Sequence, residues 1–390
     1  MTKKVKNIFL IVLDSARKDD FFEIIKKNVF PELNKDFVYY RNCNSIYTNT
    51  FLSHYVIFFG DYLNEARHPC FPAQLKNLDY NVISFCNYAV MTGYPIKNLK
   101  QKGSRKNLPS LTQMINNLGV VSKFNLKDPL FGNNIEDYYG AADDIKNQIP
   151  KKWKEYLIKN KEKNNFMFLH FWKTHHNYGI NEFLNENIDK KTYIQAGKEL
   201  VNKIVKKEIT IKIVKKFYYK QIYNSLNTYI RDLIEILKHQ GLYDDSLIII
   251  TADHGEGLGD FGYNCSKRLF YIYKFLNIMG YRIRSTIYSS FPKLRNIYRC
   301  RWDPYVFYHN GGYYFQKQVP LLIKFPQNLF GGTTFNKAIT LFDIIHTINE
   351  YLNNALEIYS NRGCSLKYLL QEGENAREKY IIKKSIQRSF

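Results

Sequence analysis

The chain is short of acid, short of cysteine and without a long apolar run. Asp and Glu number 35 against 57 Lys and Arg, a formal net charge of +22 over 390 residues. Such an excess attracts polyanions, phosphorylated substrates and anionic membrane surfaces without choosing among them. The six cysteines (Cys43, Cys70, Cys86, Cys265, Cys300, Cys364) include no C-x-x-C pair and none near a His at zinc-finger spacing. Six cysteines are sparse for this length, so a disulfide scaffold is not expected and a reducing compartment is. No stretch approaches the length of a bilayer-crossing helix. The start, MTKKVKNIFLIVLD, has no small-residue cleavage site and is not read as a signal peptide. The expected setting is cytoplasmic, with at most a peripheral membrane association at the inner face. No G-x-x-x-x-G-K-[S/T] loop is present, which excludes a P-loop nucleotidase. No helix-turn-helix, zinc-finger or RNA-recognition signature accompanies the scattered positive charge, so no specific nucleic-acid binding is expected.

What is present is core material: 45% of the residues are hydrophobic. Five short apolar runs stand out, at Ile8–Leu13, Val82–Phe85, Phe166–Phe171, Leu247–Thr251 and Val319–Phe325. Continuous runs of this length suit strands buried on both faces of a parallel sheet. Helical patterns separate them. Ile222, Leu226, Ile230, Leu233 and Leu237 form one stripe along Tyr219–His239, ending at Gln240-Gly241. A further helix is expected over Leu341–Leu352. The alternation predicts an α/β fold, a doubly wound, mostly parallel sheet with helices on both faces. One main domain spans 1–355, with insertions at about 180–217 and 263–305. A charged C-terminal segment spans 356–390, and its tail from Glu372 to Phe390 is expected to pack weakly.

In open α/β sheets, ligands bind beyond the carboxyl ends of the strands. The residues there are Asp14 after the first run, His175 and His176 after the third, Asp253 and His254 after the fourth, and His309 just before the fifth. Carboxylates and imidazoles converging from several strand ends are the raw material of a metal site. Singly, each has a plainer explanation: a strand-end Asp often caps a helix. In Asp253-His254-Gly255-Glu256, the glycine is expected to permit a sharp turn.

These segments, in order, resemble the sulfatase branch of the alkaline phosphatase superfamily. Asn7 to Asp19 (NIFLIVLDSARKD) resembles its opening strand and D-x-x-R-x-D element. Gly241 to Asp260 (GLYDDSLIIITADHGEGLGD) is similar to its second metal-binding motif. Val319 to Ile323 (VPLLI) and Leu341 to Thr347 (LFDIIHT) resemble its late strand and closing helix. In that family the nucleophile opens a helix ten residues before a glycine. Counting back from Gly60 gives Thr50. By itself Thr50 reads first as a helix N-cap.

True sulfatases carry Cys or Ser at that position, with Pro two residues on and Arg four on. The Cys or Ser is oxidised at its β-carbon to an aldehyde. Threonine bears a methyl on that carbon, and Leu52 and His54 replace the Pro and Arg. The resemblance is closer to the branch that includes lipoteichoic acid synthases, phosphoethanolamine transferases and phosphodiesterases. It implies a metal-dependent hydrolase or transferase of phosphate esters, acting on an envelope glycan or lipid-linked precursor. A sulfuric ester hydrolase, or a non-catalytic member that binds anionic ligands, are the alternatives.

Residue by residue, the resemblance implies Asp14, Thr50, Asp253 and His254 as ligands of one divalent ion, Zn or Mn rather than Mg or Ca. Thr50 is then the nucleophile, and His175 an oxyanion contact or the acid for the leaving group. His54, His176 and His309 are implied as substrate contacts, His309 alternatively as a second metal ligand, with an anionic phospho- or sulfo-ester as the partner. Ser15 stands where the family often has a second Asp, which argues for one ion rather than two.

Overall fold

The computed structural model describes residues 4–27, 30–62, 65, 68–85, 149–175, 203, 208–258, 314–373 and 376–380. Their centre is an eight-stranded sheet. Its strands are β1 (Asn7–Leu13), β2 (Val38–Asn44), β3 (Tyr80–Phe85), β4 (Asn164–Phe171), β5 (Ser246–Thr251), β6 (Gln318–Val319), β7 (Leu321–Lys324) and β8 (Thr334–Thr340). The order is β3-β4-β1-β5-β7-β2-β6, with β8 also paired to β2. β3, β4, β1 and β5 run parallel. β7 reverses against β5. Pro320 separates β6 from β7, since proline has no N–H to donate to a ladder. Both pieces pair antiparallel with β2.

All seven residues of β1 (NIFLIVL) are buried, as are all six of β5 (SLIIIT). Strands sandwiched between neighbours and covered on both faces need apolar side chains in every position. β2 and β8 lie toward the other side of the sheet and obey a different rule. β2 alternates buried and accessible residues and carries Arg41 and Asn42; β8 is largely exposed. Neither is a continuous apolar run, so neither stood out in the sequence.

The expected Tyr219–His239 helix is longer at its start. It begins at Ile211, behind a Thr210 side chain that caps Ile213 N–H, and continues to His239 through a π-helical stretch at Ser225–Ile230. All five residues of its predicted stripe are buried. The helix thus takes in 211–217, read from sequence as part of an insertion. The rest of 180–217 beyond residues 203 and 208–210, and all of 263–305, lie outside the described residues.

The C-terminal tail packs more closely than expected among its described residues as far as Tyr380. Ala376 and Tyr380 are buried. Arg377 grips the buried Asp343 carboxylate through both oxygens, at 2.9 and 2.7 Å. A charged composition did not reveal the apolar positions within it.

Candidate metal centre and nucleophile

The carboxyl ends of β1, β4 and β5 lie side by side, because Val12 registers with both His170 and Thr251. β1 delivers Asp14. Its N–H donates to the Phe171 carbonyl at 2.9 Å, which ties the two strand ends together. β5 delivers Asp253 and His254. All three side chains are fully buried.

Ser15 links the two carboxylates. Its N–H donates to Asp253 Oδ1 at 3.0 Å and its hydroxyl to Asp14 Oδ1 at 2.8 Å. It does so at φ 60, in the left-handed region that non-glycine residues seldom occupy. Tyr218 holds the turn, donating its hydroxyl to the Ser15 carbonyl at 2.9 Å. Strain of this kind persists where surrounding contacts over-determine it.

The glycine of the Asp253-His254-Gly255-Glu256 loop works differently from expectation. Gly255 is not among the residues with positive φ. Its N–H donates to the Gln316 carbonyl at 2.8 Å. A Cβ there would stand 2.1 Å from the Phe315 carbonyl oxygen. Close backbone approach, not an unusual turn, requires the glycine.

Thr50 opens the helix Thr50–Phe59, and Gly60 ends it at φ 66. A Cβ on Gly60 would also meet Ile345 at 2.5 Å. The cap of this helix is Asn49, whose side chain accepts the Leu52 N–H at 2.9 Å. Thr50 is the first helical residue, so its hydroxyl is not consumed in capping. Thr50 Oγ1 lies 3.2 Å from His254 Nε2 and 3.4 Å from Asp14 Oδ2. His254 Nδ1 is 2.9 Å from the Gly255 carbonyl. A carbonyl only accepts, so Nδ1 carries the proton and Nε2 offers its lone pair to the site.

His54, one helical turn beyond Thr50, is oriented the same way. Its Nδ1 donates to the Thr50 carbonyl at 2.7 Å. Nε2 makes no hydrogen bond and is buried. His170 joins it, with ring centroids 5.1 Å apart. His170 Nε2 is 3.3 Å from Asp14 Oδ2. Burial pushes both imidazoles down to about 4, against the pull of the Asp253 charge. Both are therefore neutral near pH 7, with lone pairs available.

His170 was missed in the sequence because it lies inside the apolar run Phe166–Phe171. The signal that would have found it is its polarity: an imidazole one residue before the end of a fully buried strand has to be satisfied by something. His175 is buried on the turn after β4, stacked on Trp172 at 4.2 Å and 14°. Trp172 in turn lies 5.8 Å from the His170 ring. His176 and His309 lie outside the described residues.

Two sets of potential ligands emerge among the described residues: Asp14, Asp253 and His254, and His54, His170 and Asp253. Within each, one donor atom from every residue lies within 4.8 Å of the others. Asp253 Oδ2 and both His170 nitrogens make no hydrogen bond, though fully buried. Buried donors with lone pairs left over are what a bound cation satisfies, so a divalent metal fits this site.

A family model described as Sulfatase matches residues 6–354. No curated protein sequence matches the chain. Several solved structures share its fold. One, a complex with its substrate D-glucosamine-2-N,6-O-disulfate, aligns with a TM-score of 0.55 at 14% identity, covering 96% of this chain and 81% of that one. The phosphonate monoester hydrolase of Agrobacterium radiobacter gives 0.55 at 15% identity, covering 95% and 78%. The phosphonate monoester hydrolase of Silicibacter pomeroyi gives 0.52 at 14% identity, covering 95% and 78%.

Proposed function

Because the chain belongs to the sulfatase family, within the alkaline phosphatase superfamily, we propose that it cleaves an anionic ester with Thr50 as nucleophile and that the ester is one of phosphate rather than sulfate. The carrying observation is the Thr50 hydroxyl, released from capping by Asn49 and held 3.2 Å from His254 Nε2 and 3.4 Å from Asp14 Oδ2. The fold hosts both sulfur and phosphorus chemistry, so the nucleophile decides. A threonine β-carbon bears a methyl and cannot become the aldehyde that sulfate hydrolysis in this family uses. A threonine hydroxyl can attack phosphorus directly.

Asp14, Asp253, His254 and Thr50 would hold a divalent ion, and the mix of carboxylate, imidazole and hydroxyl suits Zn²⁺ or Mn²⁺. Such an ion polarises a phosphoryl oxygen and lowers the pKa of a neighbouring hydroxyl. The protein's own groups do the rest. Thr50 sits at a helix N-terminus, where free N–H groups and the positive dipole end favour an anionic ester. Its hydroxyl gives up its proton to solvent, its oxygen attacks in line, the ester P–O bond breaks, and the departing alkoxide takes a proton. His175 is the proposed donor. The phosphothreonine formed passes its phosphoryl group to water or to a second alcohol. An envelope-glycan or lipid-linked acceptor, met at the inner membrane face, is the proposed setting.

The test is an ester panel on metal-stripped, metal-resupplied protein. It comprises p-nitrophenyl phosphate, bis-p-nitrophenyl phosphate and p-nitrophenyl sulfate, with Thr50→Ala beside the wild type. Metal-dependent turnover of a phosphate ester, lowered by about three orders of magnitude or more in Thr50→Ala, is expected. Preference for the sulfate ester, or undiminished turnover by Thr50→Ala, would overturn the proposal.

A further inference from the structure

We propose that the centre binds a second divalent cation, on His54, His170 and Asp253, bridged to the first through Asp253. The proposal rests on the reading of Asp14, Thr50, Asp253 and His254 as the first site.

Three observations carry it. First, the donors exceed one ion. Asp14, Thr50, Asp253 and His254 already fill the four positions of a zinc-like ion. His54 and His170 are left over, and with Asp253 they form a set of their own whose donor atoms lie within 4.8 Å of one another.

Second, the surplus donors are buried and unsatisfied. His54 is 2% exposed, and His170 and Asp253 are 0% exposed. His54 Nε2, both His170 nitrogens and Asp253 Oδ2 make no hydrogen bond. The nearness of His170 Nε2 to Asp14 Oδ2, 3.3 Å, therefore does not amount to a hydrogen bond. Leaving buried polar groups bare is costly, on the order of 1–3 kcal/mol each, and proteins seldom tolerate several at one spot.

Third, the orientation is that of a ligand. The Thr50 carbonyl takes the Nδ1 proton of His54 at 2.7 Å, as the Gly255 carbonyl takes that of His254 at 2.9 Å. With its Nδ1 proton so engaged, His54 keeps the lone pair of Nε2, which makes no hydrogen bond, the tautomer typical of metal-bound histidine. Asp253 serves both sets through one oxygen. Its Oδ1 is taken by the Ser15 and His254 N–H groups, at 3.0 and 2.9 Å. Its Oδ2 lies 3.4 Å from His254 Nε2 and 3.9 Å from His54 Nδ1.

The second set holds two imidazoles against one carboxylate, so it should prefer Zn²⁺ or Co²⁺ to Mg²⁺ or Ca²⁺. With two ions side by side, both the attacking and the leaving oxygen of an in-line displacement can be held.

The experiment counts metal. The full chain is stripped with chelator, titrated with Zn²⁺ by calorimetry, and assayed for retained metal after desalting. Circular dichroism confirms folding of each variant. Two equivalents are expected in the wild type, falling to one in His170→Leu and in His54→Leu. Co²⁺ substitution should show a d–d spectrum that changes in both His variants and carries no thiolate charge-transfer band. One equivalent in the wild type, lost on Asp14→Asn, would overturn the second site and leave the first standing. Two equivalents persisting in both His variants would also overturn it. No bound metal in the wild type would overturn both readings.

Discussion

Asn49 caps the helix that Thr50 begins, accepting the Leu52 N–H at 2.9 Å, and this division of labour leaves the Thr50 hydroxyl to His254 and Asp14 rather than to the cap. Replacing Asn49 with Ala removes the cap and is expected to lower stability by about 1 kcal/mol. The first turn should fray, and catalysis should fall further than stability does, because Thr50 loses its fixed position. Urea unfolding and phosphate-ester kinetics on the same variant check this. Unchanged kinetics with lowered stability would show that the first turn does not position Thr50.

Acid should weaken the metal-free protein within a defined window. His54 and His170 ordinarily titrate near 6.5 and are pushed down to about 4 by burial. Between those values the unfolded chain binds more protons than the folded one, so stability falls as pH falls through the window. Each group removes on the order of 3 kcal/mol of stability by the lower end of that window. Urea midpoints of chelator-treated protein from pH 8 to pH 4 should drop below about pH 6.5. His170→Leu should flatten the slope. A midpoint independent of pH would refute the account.

Gly255 should tolerate no side chain. The alanine methyl would press on the Phe315 carbonyl oxygen from 2.1 Å. Backbone cannot swing aside as a flexible side chain can, so the loop carrying Asp253 and His254 must shift. Gly255→Ala is expected to weaken metal affinity by about tenfold or more, the scale seen when partners that orient ligands are lost. Calorimetric titration with Zn²⁺ would measure it, and wild-type affinity would contradict the packing argument.

Arg377→Met should destabilise the fold although it lies far from the centre in sequence. Asp343 is fully buried and would lose its bidentate partner. The N–H groups of Thr340 and Cys364 remain, at 2.8 Å each. These retained donors put the expected loss at about 3 kcal/mol, the lower end for breaking a buried pair. Asp343→Asn combined with Arg377→Met should recover part of it in a urea melt. A loss under about 0.5 kcal/mol would mean the pair is incidental.

The parts of this fold legible in the sequence were those that water dictates. β1, β4 and β5 are buried on both faces and read as unbroken apolar runs. Asp14, Asp253 and His254 were visible because they follow those runs directly. β2 and β8 were not, since their accessible positions admit Arg41, Asn42 and Lys337 and break the run. His170 was hidden for the opposite reason, as a lone polar residue inside an apolar strand. Ser15 was read by what it was not, a second carboxylate. Its part in tying Asp14 to Asp253 needs three dimensions to see. The close approach that demands Gly255 is set by Phe315, sixty residues further on.

That approach bears on how the chain accommodates change. The segment 259–313 is bracketed by Leu258 and Tyr314, and close by the Gly255 N–H is fastened to the Gln316 carbonyl and Thr251 registers with Leu321. Its two ends are thus stapled together by contacts that owe nothing to its length. The entropy of closing such an excursion grows only with the logarithm of its size, about 0.6 kcal/mol per doubling. Changes of length between these two anchors therefore cost little, while the loop carrying Asp253 and His254 stays in place.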